Sequence, residues 1–317
     1  MNKKGDFTHD VKTKAKPWTH LDFCGGEDSE DFNFAIVGDR SGRPEPGIFE
    51  ETVEKVNLLG PDFVMSVGDF VEGFCVEDQS KAFIEDEWNR FEKALKPCRP
   101  PFFRVVGNHD IPPDDPAYPE THDMMEQMWK DRFGATYYSF VRKNVLFLCL
   151  HSTDPQEDLS DAQLKWAVDT LKKHENVRWT MIFMHRPGTW LSERFAKLEE
   201  ALYHRNYTVF AGDLHQYTRY IRNGRKYYMI GTSGGGFDVY QEGKPRGYIF
   251  GEFHQIVWVS FQNGEPKVTI LDLKGIYKDD CVTTEKITWL TPKYFRADKK
   301  LSAGDLKKLR AEGIIVE

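Results

Sequence analysis

Short apolar runs rich in β-branched and aromatic residues alternate along this chain with stretches of helical period. Phe32 to Val37 reads as a strand, and Pro46 to Leu59 carries Ile48, Val53, Val56 and Leu59 at helical spacing. The run Phe63 to Val67 follows, so strand, helix and strand make a βαβ unit with a parallel crossover. The step repeats. Gln79 to Leu95 reads as a helix with Phe83, Ile84, Trp88, Phe91 and Leu95 inward, stopped by Pro97, and Pro101 to Val106 returns to the sheet. The proline-rich IPPDDPAYPE then excludes helix or strand interior, and a helix through Met124, Met125, Met128 and Trp129 comes next, its methionines a packed face rather than a substrate surface.

The second half begins with antiparallel pairing. Tyr137 to Val141 and Val145 to Leu150, joined through Arg142 to Asn144, read as a hairpin. Ser160 suits the N-cap of a helix carrying Leu164, Ala167, Val168 and Leu171, and a further helix spans about Ser192 to Tyr203. Tyr227 to Ile230, Phe253 to Ser260 and Lys267 to Leu273 read as strands, with a short helix near Ala303 to Ala311. Residues 1–30 are polar and without periodicity, which predicts a mobile arm in which only Pro17 to Phe23 docks. With no repeat or linker, one domain over 31–280 is expected, and 281–317 as an extension packed on it.

Five of the predicted strands end in the same way, with an apolar run, a break and then polar ligand-type residues. They are FAIVGDRSG at Asp39, MSVGDFVEG at Asp69 and Glu72, FFRVVGNHD at Asn108, WTMIFMHRP at His185, and YTVFAGDLH at Asp213 and His215. Ligands collect at the carboxyl edges of strands in layered α/β folds, so five such edges argue for one shared site. Oxygen-preferring metal ions want carboxylates, and borderline ions also accept imidazole. In an extended segment, Asp213 and His215 would point to the same side.

Composition narrows the classes. At 317 residues, 40% hydrophobic and 14% aromatic, the chain is long enough for a sizeable core. A net charge of -7 leaves no basic footprint for nonspecific nucleic-acid binding. No apolar run approaches a membrane span, and the N-terminus lacks the apolar segment of a signal peptide, so a cytoplasmic protein is expected, or an exported one whose leader was removed. Five cysteines without CxxC spacing read as free thiols rather than a zinc or redox site.

The order GD, GDxx, GNHD, a strand-end His and GxxH resembles the calcineurin-like metallophosphoesterase superfamily over roughly Phe32 to Ile230, GNHD being its most specific block. The resemblance implies an α/β fold, a four-layer α/β/β/α sandwich of mixed sheets, and a two-metal site bridged by Asp69. By position Asp39 and His215 would serve the first metal, and Asn108, His185 and Asp213 the second. His109 resembles the family's proton donor, with Asp110 to orient or tune it. His151 is a second candidate for that proton or for substrate, or is structural.

Two departures stand out. The usual D-x-H is Asp39-Arg40-Ser41, and the usual G-H-x-H is Gly212-Asp213-Leu214-His215. Purple acid phosphatases also lack the first-block His and place a Tyr three residues after the bridging Asp; Glu72 stands there and is expected to be the substitute ligand. Asp39, Asp69, Glu72 and Asp213 would then bring four negative charges, which favours manganese, iron or magnesium over zinc as the two divalent or trivalent ions. Arg40 and Arg186 each follow a ligand position, where they can bind phosphate or pair with nearby acids. The expected chemistry is hydrolysis of a phosphomonoester or phosphodiester substrate by a metal-bound hydroxide. Protein serine/threonine phosphatase, nucleotide phosphodiesterase and a metal-binding scaffold without catalysis are the rivals. The glycine run ending at Gly236 reads as a tight turn rather than a phosphate cradle, and oligomeric state is open.

Overall fold

A computed structural model describes residues 7–278, apart from 25–28, 74–76, 115–118, 154–157, 238–246, 248–249 and 263. The extension at 281–317, with its expected helix Ala303 to Ala311, lies outside the described residues. In chain order the first half runs β1 (Phe7–His9), β2 (Phe32–Val37), α1 (Ile48–Leu59), β3 (Val64–Ser66), α2 (Lys81–Leu95), β4 (Phe102–Phe103), α3 (Pro119–Phe133), β5 (Tyr138–Arg142) and β6 (Val145–Cys149). The second half runs α4 (Asp161–Lys173), β7 (Trp179–Phe183), α5 (Glu193–Leu202), β8 (Tyr207–Ala211), β9 (Thr218–Arg222), β10 (Arg225–Met229), β11 (Gln255–Gln262), β12 (Glu265–Asp272) and β13 (Gly275–Lys278).

The strands form two mixed sheets, ordered β1-β5-β6-β7-β8-β10-β9 and β13-β12-β11-β2-β3-β4. Each has a parallel heart, β6, β7 and β8 in one and β2, β3 and β4 in the other. The two expected βαβ steps are therefore present. Alternation along the strands decides the layers: Phe34, Ile36, Met65 and Phe103 face the other sheet, whereas Ala35, Val37, Val64 and Phe102 face α1, α2 and α3. Helices α4 and α5 bury Leu171, Phe195 and Leu198 on the far side of the other sheet, which completes the four layers.

Between the sheets runs a row of aromatic rings. Phe140 stacks on Phe147 with centroids 4.5 Å apart, Phe183 on Phe210 at 5.2 Å and Phe210 on Tyr228 at 5.1 Å. From the other sheet, Phe34 and Phe63 meet Phe147 edge-on, a preferred arrangement of ring quadrupoles. The helices start where their caps allow: the Ser80, Ser160 and Ser192 hydroxyls accept from the backbone N–H groups of Phe83, Gln163 and Phe195.

Three local expectations need correction. The arm is partly sheet, since β1 pairs antiparallel with β5, whereas Trp18, 7% exposed, bridges to Phe103 within the stretch expected to dock. Strand β1 has only three residues, too few to show a period, and is held by the ring contacts of Phe7 with Phe103 and Phe140. Strand β9 was absent from the sequence reading. It is joined to β10 through Asn223 and Gly224, both at positive φ, as a tight hairpin turn demands. Lastly, β4 is two residues long, because the chain from Arg104 onward leaves the ladder for the site described below.

No described helix is long and apolar enough to cross a membrane. Cys24, Cys98 and Cys149 are free thiols, as expected.

Because Phe147 is fully buried where both ring rows meet, Phe147→Ala is expected to cost about 3–5 kcal/mol, the range for truncating a core aromatic. Leu58→Ala, at a site 86% exposed, should stay within about 0.5 kcal/mol. Urea denaturation of the two variants compares them directly.

Candidate metal centre

The carboxyl ends of the parallel strands of both sheets open on one spot. Asp39 follows β2, Asp69 follows β3, Asn108 follows β4, His185 follows β7 and Asp213 follows β8. Glycine permits the crossing: a Cβ on Gly107 would lie 2.1 Å from Asp69 Oδ1, and one on Gly68, itself at φ +104°, would lie 2.6 Å from the Gly107 nitrogen. Asp69, Asp213 and His215 themselves sit at positive φ, an uncommon state for side-chain-bearing residues that clusters at functional sites. This also corrects the extended reading of Asp213 and His215, which lie in a turn.

His185 is the hub. Its Nδ1–H donates to the Val67 carbonyl at 2.7 Å, which leaves Nε2 facing Asn108 Oδ1 at 2.8 Å, Asp69 Oδ2 at 3.2 Å and Asp213 Oδ1 at 3.8 Å. Donors about 2.1 Å from a shared ion lie roughly 3 Å apart along an octahedral edge, so these spacings suit a cation. On the other flank, His215 Nε2 lies 3.3 Å from Asp39 Oδ2, and its Nδ1–H is held by the Gly236 carbonyl. Asp39 Oδ1 is buried without a hydrogen-bond partner among the described residues, and one donor atom each from Asp39, Asp69 and His185 lies within 4.8 Å of the others. Unsatisfied buried carboxylate oxygen beside imidazole nitrogen is a donor set that fits a metal ion.

His109 faces this cluster. Its Nδ1–H donates to the Glu72 carbonyl at 2.9 Å, and its Nε2 lies 3.8 Å from Asp69 Oδ2. The Glu72 backbone thus serves the site, whereas the carboxylate expected as a ligand has its Oε1 buried without a hydrogen-bond partner and is not part of the Asp39, Asp69 and His185 group. The Asp110 carboxylate accepts from the backbone N–H groups of Asp69, Phe70 and Gly107 at 2.8, 2.7 and 2.9 Å, clamping two loops together.

The expected substrate-binding residues part ways. The Arg40 guanidinium donates to the Phe70 carbonyl at 2.7 Å and lines a cavity of about 470 Å³ with Glu50, Val53 and Arg90, between α1 and α2. Arg186 stays at the centre, where Nη1 donates to Asp213 Oδ1 at 2.6 Å and to Asn108 Oδ1 at 3.3 Å. His151 is 1% exposed, with its Nε2 on the Thr153 hydroxyl.

Sequence reasoning missed a supporting shell. The Ser152 hydroxyl accepts from the N–H groups of His185 and Arg186 at 3.0 and 2.8 Å. Ser233 and Gly235 donate their N–H groups to the Asp39 carbonyl, and the Ser233 hydroxyl accepts from the Gly38 N–H. The glycine run is a turn, as expected, and also the bed beneath Asp39 and His215: a Cβ on Gly235 would meet Ser41 O at 2.2 Å and His215 Cε1 at 2.7 Å.

Electrostatics follows from burial and proximity. Burial opposes a charge on His185, yet Asp69, Asp39 and Asp213 outweigh it and push the imidazole up to about 9. For Asp69, burial works against the carboxylate, while His185 and His109 hold it well below the usual range. Asp110 is pushed up to about 7 by burial and by the charge of Asp69. A site that drives an imidazole toward its cation is one that lacks positive charge, which a metal ion supplies when bound.

Three independent features now coincide: the sandwich, the strand-end donors and the paired imidazoles. The family profile for calcineurin-like phosphoesterases matches residues 24–227. The chain belongs to the calcineurin-like phosphoesterase family. As a family member it is a phosphoric ester hydrolase, and divalent metal ions are the cofactor that its donor cluster fits. A search of curated protein sequences returns no match. Among solved structures, the chain is similar to GAP50, the anchor in the inner membrane complex of Plasmodium, with TM-score 0.53, 14% identity, and coverage of 82% of this chain and 93% of that one. It is also similar to a 5'-nucleotidase of Candida albicans, with TM-score 0.46, 14% identity, and coverage of 88% and 57%. The YfcE phosphoesterase of E. coli gives TM-score 0.37, 10% identity, and coverage of 77% and 96%. At 14% identity the likeness to GAP50 is one of fold.

A pH dependence follows from His151, whose proton affinity is pushed down to about 3 by burial and then by His122 and Lys130. The unfolded chain takes up this proton near pH 6.5 and the folded chain does not, so His151 makes stability fall as pH drops from about 6.5 toward 3. His151→Gln should lower the slope of unfolding free energy against pH by about one proton in that window, read by urea titration in chelator.

Proposed function

We propose that this protein hydrolyses a phosphomonoester or phosphodiester, with His109 as proton donor to the leaving alkoxide. When bound, a divalent ion supplies Lewis acidity to phosphoryl oxygens and acidifies water. The chain's donors form two groups that share Asp69: Asp39 and His215 on one flank, and Asn108, His185 and Asp213 on the other. This set is rich in oxygen, which favours manganese, iron or magnesium over zinc even without Glu72.

One observation carries the reading. The Glu72 carbonyl holds the Nδ1–H of His109, so in the imidazolium it is the Nε2 proton, turned to the donor cluster, that can pass to an ester oxygen and leave the ring neutral. Asp110 supports this indirectly by tying the Asp69 loop to the Gly107 loop. Substrate class within phosphate esters is set by the rim and is left to assay.

The test is hydrolysis of p-nitrophenyl phosphate and its bis ester after chelation and reloading with manganese, iron, magnesium or zinc. Turnover should vanish with chelator and return with a metal. His109→Ala should lower kcat by about 10²–10⁴-fold at unchanged metal content, the range for loss of a general acid. Asp69→Asn should lose metal and turnover together. Turnover indifferent to chelation, or His109→Ala at full rate, would remove the reading.

A further inference from the structure

We propose that the Arg186 guanidinium is a resident cation in place of a second metal ion, so that the loaded enzyme carries one divalent ion per chain. The inference rests on the metal-dependent reading above and specifies the number of ions.

Nη1 of Arg186 touches both oxygen donors of the second group, Asp213 Oδ1 at 2.6 Å and Asn108 Oδ1 at 3.3 Å. An ion drawing on the same two oxygens would stand against a guanidinium charge, in a place where Asn108 is 8% exposed and the Asp213 side chain 7% exposed. Like charges in contact there are screened little by water. Arg186 is also anchored. Its N–H is held by the Ser152 hydroxyl at 2.8 Å, and it caps the short 3-10 turn Pro187–Leu191, whose first residue is a proline that restricts the backbone before it.

Charge balance points the same way. Asp39, Asp69 and Asp213 are the carboxylates at the donor cluster, and Arg186 offsets one of them, leaving two negative charges for one divalent ion to neutralise. That ion has donors clear of the Arg186 contacts: Asp39, with its unpartnered Oδ1, His215 and Asp69. The guanidinium would then do for a bound phosphate what a second ion does electrostatically, attracting its oxygens from the Asp213 side.

The experiment is metal stoichiometry, with turnover as a separate readout. Wild type reconstituted with excess Mn²⁺ and gel-filtered should retain one manganese per chain by elemental analysis, with the uncoupled six-line paramagnetic resonance signal of an isolated ion. Arg186→Met, which keeps the apolar stem and removes the charge, should rise to two manganese per chain with a spin-coupled spectrum. Arg186→Lys, which restores a cation, should return to one. Two ions in wild type, or one in a folded Arg186→Met variant, would overturn the substitution and leave the metal-dependent reading standing. No retained ion in wild type, together with turnover that ignores chelation, would overturn both. If Arg186→Met does not fold, the wild-type count and spectrum decide alone.

Discussion

The structure is organised around a repulsion. Asp39, Asp69 and Asp213 are brought together out of water around His185, where the charges of Asp69 and Asp39 oppose ionisation of Asp213. Local positive ends answer it. Asp39 Oδ2 accepts the Asp213 N–H, Asp69 Oδ1 accepts the His109 N–H, and Asp213 Oδ1 accepts from Arg186. Each of those contacts needs backbone in an unusual place, which explains why glycines precede Asp39, Asp69, Asn108 and Asp213 and why three of the site residues have positive φ. What hydrogen bonds leave unbalanced is the opening for a metal ion.

The strand ends were legible in the sequence because a buried parallel strand, a glycine break and a polar ligand leave a signature that local pattern carries. All five were found, and the structure brings Asp39, Asp69, Asn108, His185, Asp213 and His215 to one spot. The direction of the next side chain was not legible. Arg40 and Arg186 have the same relation to a preceding ligand, yet Arg40 turns toward α1 and α2 while Arg186 stays at the centre. The difference lies in the partners at long range: the Phe70 carbonyl receives Arg40, and Ser152 holds the Arg186 backbone. Glu72 shows the same limit. An offset of three residues says how far along the chain a carboxylate lies, and gives no sign that the Glu72 carbonyl holds the His109 ring. Strand β1 was hidden for another reason, since three residues pairing with a ready edge need no periodicity of their own.

The donors also couple the site to the core. Asp39, Asp69 and Asn108 come from one sheet, and His185 and Asp213 from the other, so an ion drawing on both sets ties the sheets together. What fixes the distance between those sheets without an ion is the aromatic row, where Phe34 and Phe63 press on Phe147 and Phe183 lies against Phe34. Any ligand that binds the folded state alone stabilises it, in proportion to the logarithm of one plus the ratio of its free concentration to its dissociation constant. Metal affinity and core packing are thus two readings of one geometry. Loosening the aromatic row widens the gap that the donors span, and filling that gap with a cation restores part of what the core has lost.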